Sequence, residues 1–345
     1  MEYSFQPVPS HAGRDWDQLI SKCENTTAFQ AWHWRTSLSE AFNQLQPHYF
    51  WILDSKEVVI GGWPAFIFRP LPTVKILFSL PWNLFGGYFL IPEFQGNYRQ
   101  LCRDLEQQLT MITKKEKVCQ TSFTLDWNQS LFGDYLLEKG FKSGRRHFTH
   151  RLKIGPDYDQ IWSSYNKRVR GAVRKSQKKG VEVYETDNSN QLDQFYQIYL
   201  QTQQRLSGTP KPFSLMTQLF ESNLAKLVIA RQEGKTIAGL LYFYFNKTVT
   251  LWAGASDPDW WSFRPNNAIF DHIIRWSCNA GYDWVDFGAS PPDNTGLIKH
   301  KEEYRAVPYY FQTYTKVNLP LQLKLWQTSE PAIRKVYAFL QQIGH

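Results

Sequence analysis

At 345 residues the chain is long for a single core and comfortable for two domains. Its 42% hydrophobic and 16% aromatic content excludes a disordered chain. The formal net charge of +8 points to an anionic partner, and four scattered cysteines (Cys23, Cys102, Cys119 and Cys278) point to reduced, buried thiols rather than a disulfide framework or a zinc site.

The opening residues, MEYSFQPVPSHAGRDW, carry no basic segment followed by an apolar run, so no signal peptide is expected. The most apolar stretch, Val58 to Phe94, is interrupted by Arg69, Lys75 and several prolines. It falls short of the roughly 20 continuous apolar residues that a spanning helix needs. A cytoplasmic protein is expected, with a peripheral contact at the inner membrane face left open. Within this half, EVVIGGWPAFIF and VKILFSL have the composition of strands. NYRQLCRDLEQQLTMITKK places Tyr98, Leu101, Leu105 and Ile112 on one helical face, and TSFTLDW is the strand that follows.

The segment GPDYDQIWSSYNKRVRGAVRKSQKKG comes next. Asp157 and Gln160 stand in a capping-box arrangement, and Gly180 marks the stop, which predicts one helix. Trp162, Val169 and Val173 form its apolar stripe, while Arg170, Arg174 and Lys178 recur every four residues on another face. From Tyr165 to Gly180 there are seven Lys and Arg residues and no acid, so nothing neutralises the row. A solvated face is the bland explanation. A phosphate or pyrophosphate group is the sharper one, since it needs two or three such side chains. No helix-turn-helix, zinc finger or aromatic RNA-binding motif accompanies the row, and DNA is not expected as a partner.

NQLDQFYQIYLQTQQRL is an amphipathic helix with Leu192, Phe195, Tyr199, Thr202 and Leu206 at three- and four-residue steps. Three strands with turns at Glu233-Gly234 and Asn246-Lys247 follow, then the helix NNAIFDHIIRWSCNAG and the buried strand YDWVDFGAS. The two halves share this strand and helix order, which predicts a tandem duplication in the α/β (α+β) class with mixed sheets flanked by helices. Beyond the last strand lies a Pro-Pro loop and a cationic cluster, Lys299, His300, Lys301 and Arg305, where ligands of such sheets gather. Metal chemistry, a Walker A loop, a G-x-G-x-x-G turn and a nucleophile elbow have no support.

Three runs in order, IWSSYNKRVRGAVRKSQKKGVEV, RLSGTPKPFSL and NNAIFDHIIRWSCNAGYDWVDFGASPPDNTGLIKHKEEYRA, resemble the FemABX-like branch of the GNAT acyltransferase superfamily. The resemblance is strong over the C-terminal half and weaker over the N-terminal half. It implies two GNAT-like domains, 1–152 and 153–318, with 319–345 packing back on the first. It also implies transfer of an acyl or aminoacyl group to an amine, with peptidoglycan precursors as the best-known acceptors. The family pattern G-L-x-x-F-K-x-x-F/W-G falls on Gly296, Leu297, Lys301 and Tyr304. It departs at His300, where an aromatic is usual, and at Arg305, where glycine is usual.

Lys301 is the expected oxyanion partner; Asp286, with Glu302 and Glu303, is a carboxylate near enough in sequence to take the amine's proton. Lys167, Arg168, Arg170, Arg174, Arg205, Arg264, Asn267 and Tyr304 are expected to bind substrate. Backbone N–H groups near Gly254 are expected to face the co-substrate. The place where GNAT acetyltransferases carry a glycine-rich pyrophosphate loop reads SDPDWWSFRPNNAIF, without glycine. No tightly bound cofactor is expected. The co-substrate is aminoacyl-tRNA or an acyl-CoA, with the former favoured, and the acceptor an anionic small molecule or lipid-linked substrate. A non-catalytic precursor- or nucleic-acid-binding protein is the alternative.

Overall fold

The structure is a computed structural model that describes residues 2–23 and 26–343. The chain forms two compact units, Met1–His147 with Tyr310–Ile333, and Phe148–Tyr309 with Arg334–His345. Gly344 and His345, at the end of the segment expected to return to the first domain, lie outside the described residues.

The first unit contains β1 (Ser4–Pro7), α1 (Gly13–Ile20), α2 (Trp32–Ala41), β2 (Leu45–Pro47), β3 (Phe50–Leu53), β4 (Val59–Trp63), β5 (Phe66–Leu71), β6 (Val74–Phe78), β7 (Phe89–Leu90), α3 (Tyr98–Glu116), β8 (Gln120–Leu125) and α4 (Ser130–Glu138). The run expected as one strand over Glu57–Phe68 is two strands that join different sheets. β4 pairs with β3 and β7, whereas β5 pairs with β2 and β6. Pro64 lies between them, and a residue without an N–H cannot continue a ladder. α3 crosses between β6 and β8, which pair in parallel as such a crossover requires. Its buried face is Leu101, Leu105, Leu109 and Ile112, and the Asn97 side chain accepts from the Gln100 N–H at its start.

The chain crosses between the units within β9 (Lys142–Lys153). The second unit then holds α5 (Tyr158–Ser164), α6 (Lys167–Lys178), β10 (Glu182–Thr186), α7 (Ser189–Arg205), α8 (Phe213–Phe220), β11 (Ala225–Gln232), β12 (Lys235–Phe245), β13 (Thr248–Ser256), α9 (Pro265–Asn279), β14 (Trp284–Ala289) and α10 (Thr295–Glu302). β15 (Val307–Val317) and α11 (Pro320–Ile343) complete the chain. The strands of this unit are ordered β10-β11-β12-β13-β14-β9, antiparallel except for β13 and β14. The parallel β13–β14 pairing covers only Thr248–Thr250 against Trp284–Asp286, and β13 carries an irregularity opposite Leu241–Tyr242.

Val169 and Val173 of α6 and Ile269, Ile273 and Ile274 of α9 bury against Ala238, Leu240 and Tyr242 of β12. Strand side chains alternate between faces, so Gly239 presents to the opposite side. There Phe195 of α7 approaches so closely that a Cβ would lie 2.5 Å from its ring, and only glycine fits.

The single helix expected over Asp157–Lys178 is two. Asp157 caps the first as anticipated, accepting from the N–H groups of Asp159 and Gln160. The helix stops at Ser164. Asn166 then starts α6 by accepting from the Arg168 N–H at 2.9 Å, while its own N–H donates to the Glu303 carbonyl at 2.9 Å. Tyr165, fully buried at the break, packs edge-on to Tyr304. Ser, Tyr and Asn at this point favour a fresh cap over continued helix. All four cysteines are buried free thiols, and among the described residues no helix is long and apolar enough to cross a membrane.

Replacing Ile273, wholly buried under β12, by Ala is expected to lower unfolding stability by about 2–5 kcal/mol in urea titrations. Leu206→Ala, at a position 62% exposed, is expected to change it by no more than about 0.5 kcal/mol.

Candidate functional site

α6, the start of α9 and α10 enclose a cavity of about 470 Å³ in the second unit. Arg168 and Lys175 reach it from α6, Arg264 and Asn267 from α9, and Lys299, His300 and Glu303 from α10. Glu303 is the one carboxylate in this lining, and it lies 3.5 Å from the Arg168 guanidinium. The net balance is strongly cationic, in a concave site where such charges focus on an entering anion. Gly171 and Ala172 supply the floor, where larger side chains would fill the space. Arg264 holds a left-handed backbone (φ 60) directly before Pro265, the first residue of α9. That conformation is uncommon for a residue with a Cβ.

Lys301 lies one residue from this wall but turns the other way. It is 4% exposed, and its ammonium donates to the carbonyls of Gly288 (2.6 Å) and Ala289 (3.3 Å) at the end of β14. Burial pushes it down to about 8, opposed by the nearby charge of Asp286. Asp286 is itself buried. It accepts from the Thr149 hydroxyl and from the Gly288 N–H at 2.8 Å, and Arg151 stands 3.9 Å away. Burial raises its pKa above the ordinary carboxylate value, against the opposing effects of Thr149, Arg151, Gly288 and Lys301. Asp286 is therefore fully occupied in bracing the strand end. Gly288 has φ +74, and a Cβ there would lie 3.2 Å from the Leu251 carbonyl of β13. The ammonium is thus fixed where β13 and β14 part.

The other expected residues divide sharply. Tyr304 is fully buried, its hydroxyl accepting from Asn267 at 3.0 Å, so it supports the cavity from behind. The row of Arg170, Arg174 and Lys178 does not face the cavity; the parallel row of Arg168 and Lys175 does. Arg170 folds back to donate to the carbonyls of Ser163 and Tyr165, and Arg174 lies over the Trp162 ring at 5.7 Å. Lys167 is exposed and outside the lining. Arg205, also exposed, stacks over Trp261 at 4.8 Å. Gly254 is exposed on β13, past the point where that strand leaves β14.

The Arg305 departure from the family pattern keeps the turn. Its φ of 69 is the glycine-like conformation, and its Nε donates to the Ser164 carbonyl at 2.8 Å. A cost of about 1–2 kcal/mol for the left-handed backbone is offset by a charged hydrogen bond of similar size.

Two groups escaped the sequence reading. His150, wholly buried on β9, has no hydrogen-bond partner for either ring nitrogen among the described residues, and burial beside Lys301 pushes it down to about 4. Lys211, in the loop before α8, lies over the Trp252 ring at 4.8 Å and is pushed down to about 8 by burial. Neither carries a local sequence signal. Strand alternation and a Pro-flanked lysine do not announce burial.

The segment without glycine is filled by a short helix, Pro258–Phe263, started by Asp257. Trp261 there is 43% exposed and donates to the Ser256 hydroxyl at 2.9 Å.

This geometry sits in a mixed sheet whose parallel pair opens at one end, duplicated along the chain, which is the tandem GNAT architecture. Residues 163–303 match the family model of the acetyltransferase (GNAT) domain. The structure is similar to the crystal structure of FemX, with a TM-score of 0.74 at 14% identity, covering 94% of this chain and 99% of that one. It is also similar to a tandem GNAT protein from the clavulanic acid biosynthesis pathway, with a TM-score of 0.58 at 11% identity, covering 92% and 98%. The C-terminal domain of a putative lysylphosphatidylglycerol synthetase from Agrobacterium fabrum gives a TM-score of 0.59 at 12% identity, covering 93% and 96%. In sequence, the chain is 24% identical over 153 residues to a UDP-N-acetylmuramoylpentapeptide-lysine N(6)-alanyltransferase of Weissella viridescens. That match covers 42% of this chain and 45% of the relative, just under half its length. Over residues 163–303 the chain is thus similar to a GNAT domain, and its fold as a whole is that of FemX and the tandem GNAT proteins.

A lysine whose folded value is lowered is protonated less readily than in the unfolded chain, so stability rises with pH between the two values. The stability of the wild type relative to Lys301→Met is expected to rise from about pH 8 to about pH 10 in urea titrations, and to show no such slope between pH 6 and 7.

Proposed function

We propose that the protein is an N-acyltransferase of the aminoacyl type. It moves an aminoacyl group from tRNA to an amine of an anionic cell-wall precursor, in the cytoplasm, at the inner membrane face when the precursor is lipid-linked. The observation that carries this reading is the pairing of a cation-lined cavity with a desolvated lysine at the mouth of the β13–β14 opening. The Weissella relative, named for alanyl transfer to a lysine amine, supports the choice of acceptor.

In the reaction the neutral amine attacks the ester carbonyl, a C–N bond forms and the carbonyl oxygen becomes an oxyanion. Collapse breaks the C–O bond to the tRNA ribose, and that oxygen takes the proton the amine gives up. Two hydrogen-bond donors of the Lys301 ammonium are committed to Gly288 and Ala289, which leaves the third for the oxyanion. Being fixed before the charge develops, it costs no reorganisation. Asp286 acts on the reaction only through the strand end it braces. The basic lining takes phosphate groups of the tRNA end or of the precursor, with Arg168, Lys175 and Arg264 as the nearest charges.

An acyl-CoA donor is disfavoured by the aromatic-filled Pro258–Phe263 segment, which stands where backbone amides would otherwise meet a pyrophosphate. The non-catalytic alternative requires no particular protonation of Lys301, so its replacement separates the two. In a transfer assay with labelled alanyl-tRNA and an amine-bearing muropeptide, Lys301→Ala is expected to slow turnover about a hundredfold or more. Equal turnover, with the variant folded by circular dichroism, contradicts the proposal.

A further inference from the structure

His300 lines the cavity from α10, half-buried, with its ring 5.6 Å from Phe270 and 5.5 Å from Tyr304. Those contacts engage the faces and edges of the imidazole. Neither ring nitrogen has a hydrogen-bond partner among the described residues, in contrast to Asn267 beside it, whose amide is held by Tyr304. The charged groups around the ring come from every wall. α6 contributes Arg168 and Lys175, the start of α9 contributes Arg264, and α10 contributes Lys299, Lys301 and Glu303. Burial lowers the ring's proton affinity, and the charges of Lys301 and Arg168 lower it further; Glu303 works in the opposite direction but is shared with Arg168.

We propose that His300 is a binding residue of this cavity that takes up a proton as a doubly charged oxyanion group enters, coupling anion capture to protonation. The inference rests on the reading of the cavity as an anion site and adds a residue and a proton to it. In the empty cavity a sixth positive charge beside five others is unfavourable, so the ring stays neutral. An oxyanion bearing two charges reverses that balance: it satisfies the neighbouring cations and offers an acceptor to a ring N–H. The imidazolium then donates a charge-assisted hydrogen bond, roughly twice as strong as that of the neutral ring. Because the protonated form is favoured only in the complex, affinity rises as pH falls towards the free ring's own value. The site consequently prefers a dianionic phosphate, such as a terminal phosphate, over a singly charged phosphodiester or carboxylate.

The test uses sulfate, which stays doubly charged between pH 5.5 and 7.5, and isothermal calorimetry of the whole protein in two buffers of different ionisation heat. That window lies below the titration of Lys301. For the wild type, affinity is expected to be about tenfold higher at pH 5.5 than at pH 7.5, with net proton uptake at pH 6.5. His300→Phe, which preserves a ring against Phe270 and Tyr304, is expected to bring the affinity ratio close to one and abolish the uptake. Lys175→Ala is expected to weaken binding at both pH values while keeping the ratio. Wild-type binding without proton uptake, or uptake that survives in both His300→Phe and His300→Asn, overturns the proton coupling and leaves the cavity reading intact. Absence of sulfate binding at either pH overturns both.

Discussion

The bond from the Lys301 ammonium to the carbonyls of Gly288 and Ala289 joins the end of β14 to α10, and the site's geometry depends on it. A charged hydrogen bond contributes about 1.5–3 kcal/mol net, set against the cost of burying an ammonium. The partial offset leaves Lys301 both fixed and easily deprotonated, which a solvated lysine is not. On one side of α10 it meets the parting strands; on the other, Lys299, His300 and Glu303 form a wall of the cavity. One short helix thus presents a rigid cation to the sheet opening and an anion-attracting face to solvent.

The break between α5 and α6 belongs to the same arrangement. Asn166 donates to the Glu303 carbonyl, Arg305 and Arg170 donate to the last carbonyls of α5, and Tyr165 packs on Tyr304. These contacts set the rotation of α6 about its axis. With the valines buried against the sheet, Arg168 and Lys175 are directed at α10. Had the helix run unbroken from Asp157, no cap at Asn166 would hold its start to Glu303.

Much of the second unit was legible in the sequence because its elements obey strong local rules. The Glu233-Gly234 and Asn246 turns have positive φ, and the helix of Leu192, Phe195 and Tyr199 follows its apolar period. The break at Tyr165–Asn166 was not legible, because its cause is tertiary: a carbonyl 137 positions away in Glu303 and a buried tyrosine. The same holds for the basic helix. Periodicity identified one cationic row, Arg170, Arg174 and Lys178, whereas packing directs Arg168 and Lys175 at the cavity instead. Lys301 was legible as part of the cationic cluster past the last strand and through the family pattern, and its burial through nothing local. The cut at Pro64 had a signal, a proline inside an apolar run, that outweighs strand propensity.

The central proposal is that the cavity of α6, α9 and α10 receives a phosphate group of a substrate, the precursor or the aminoacyl-tRNA. Hydrogen–deuterium exchange with a nucleotide-linked muropeptide precursor and, separately, a non-hydrolysable alanyl-tRNA analogue, each at low and at high salt, tests it most directly. The account predicts slowed exchange in residues 166–178, 264–268 and 295–303, lost progressively as salt rises. Binding that leaves those three segments unchanged, with protection elsewhere or from coenzyme A instead, would contradict it.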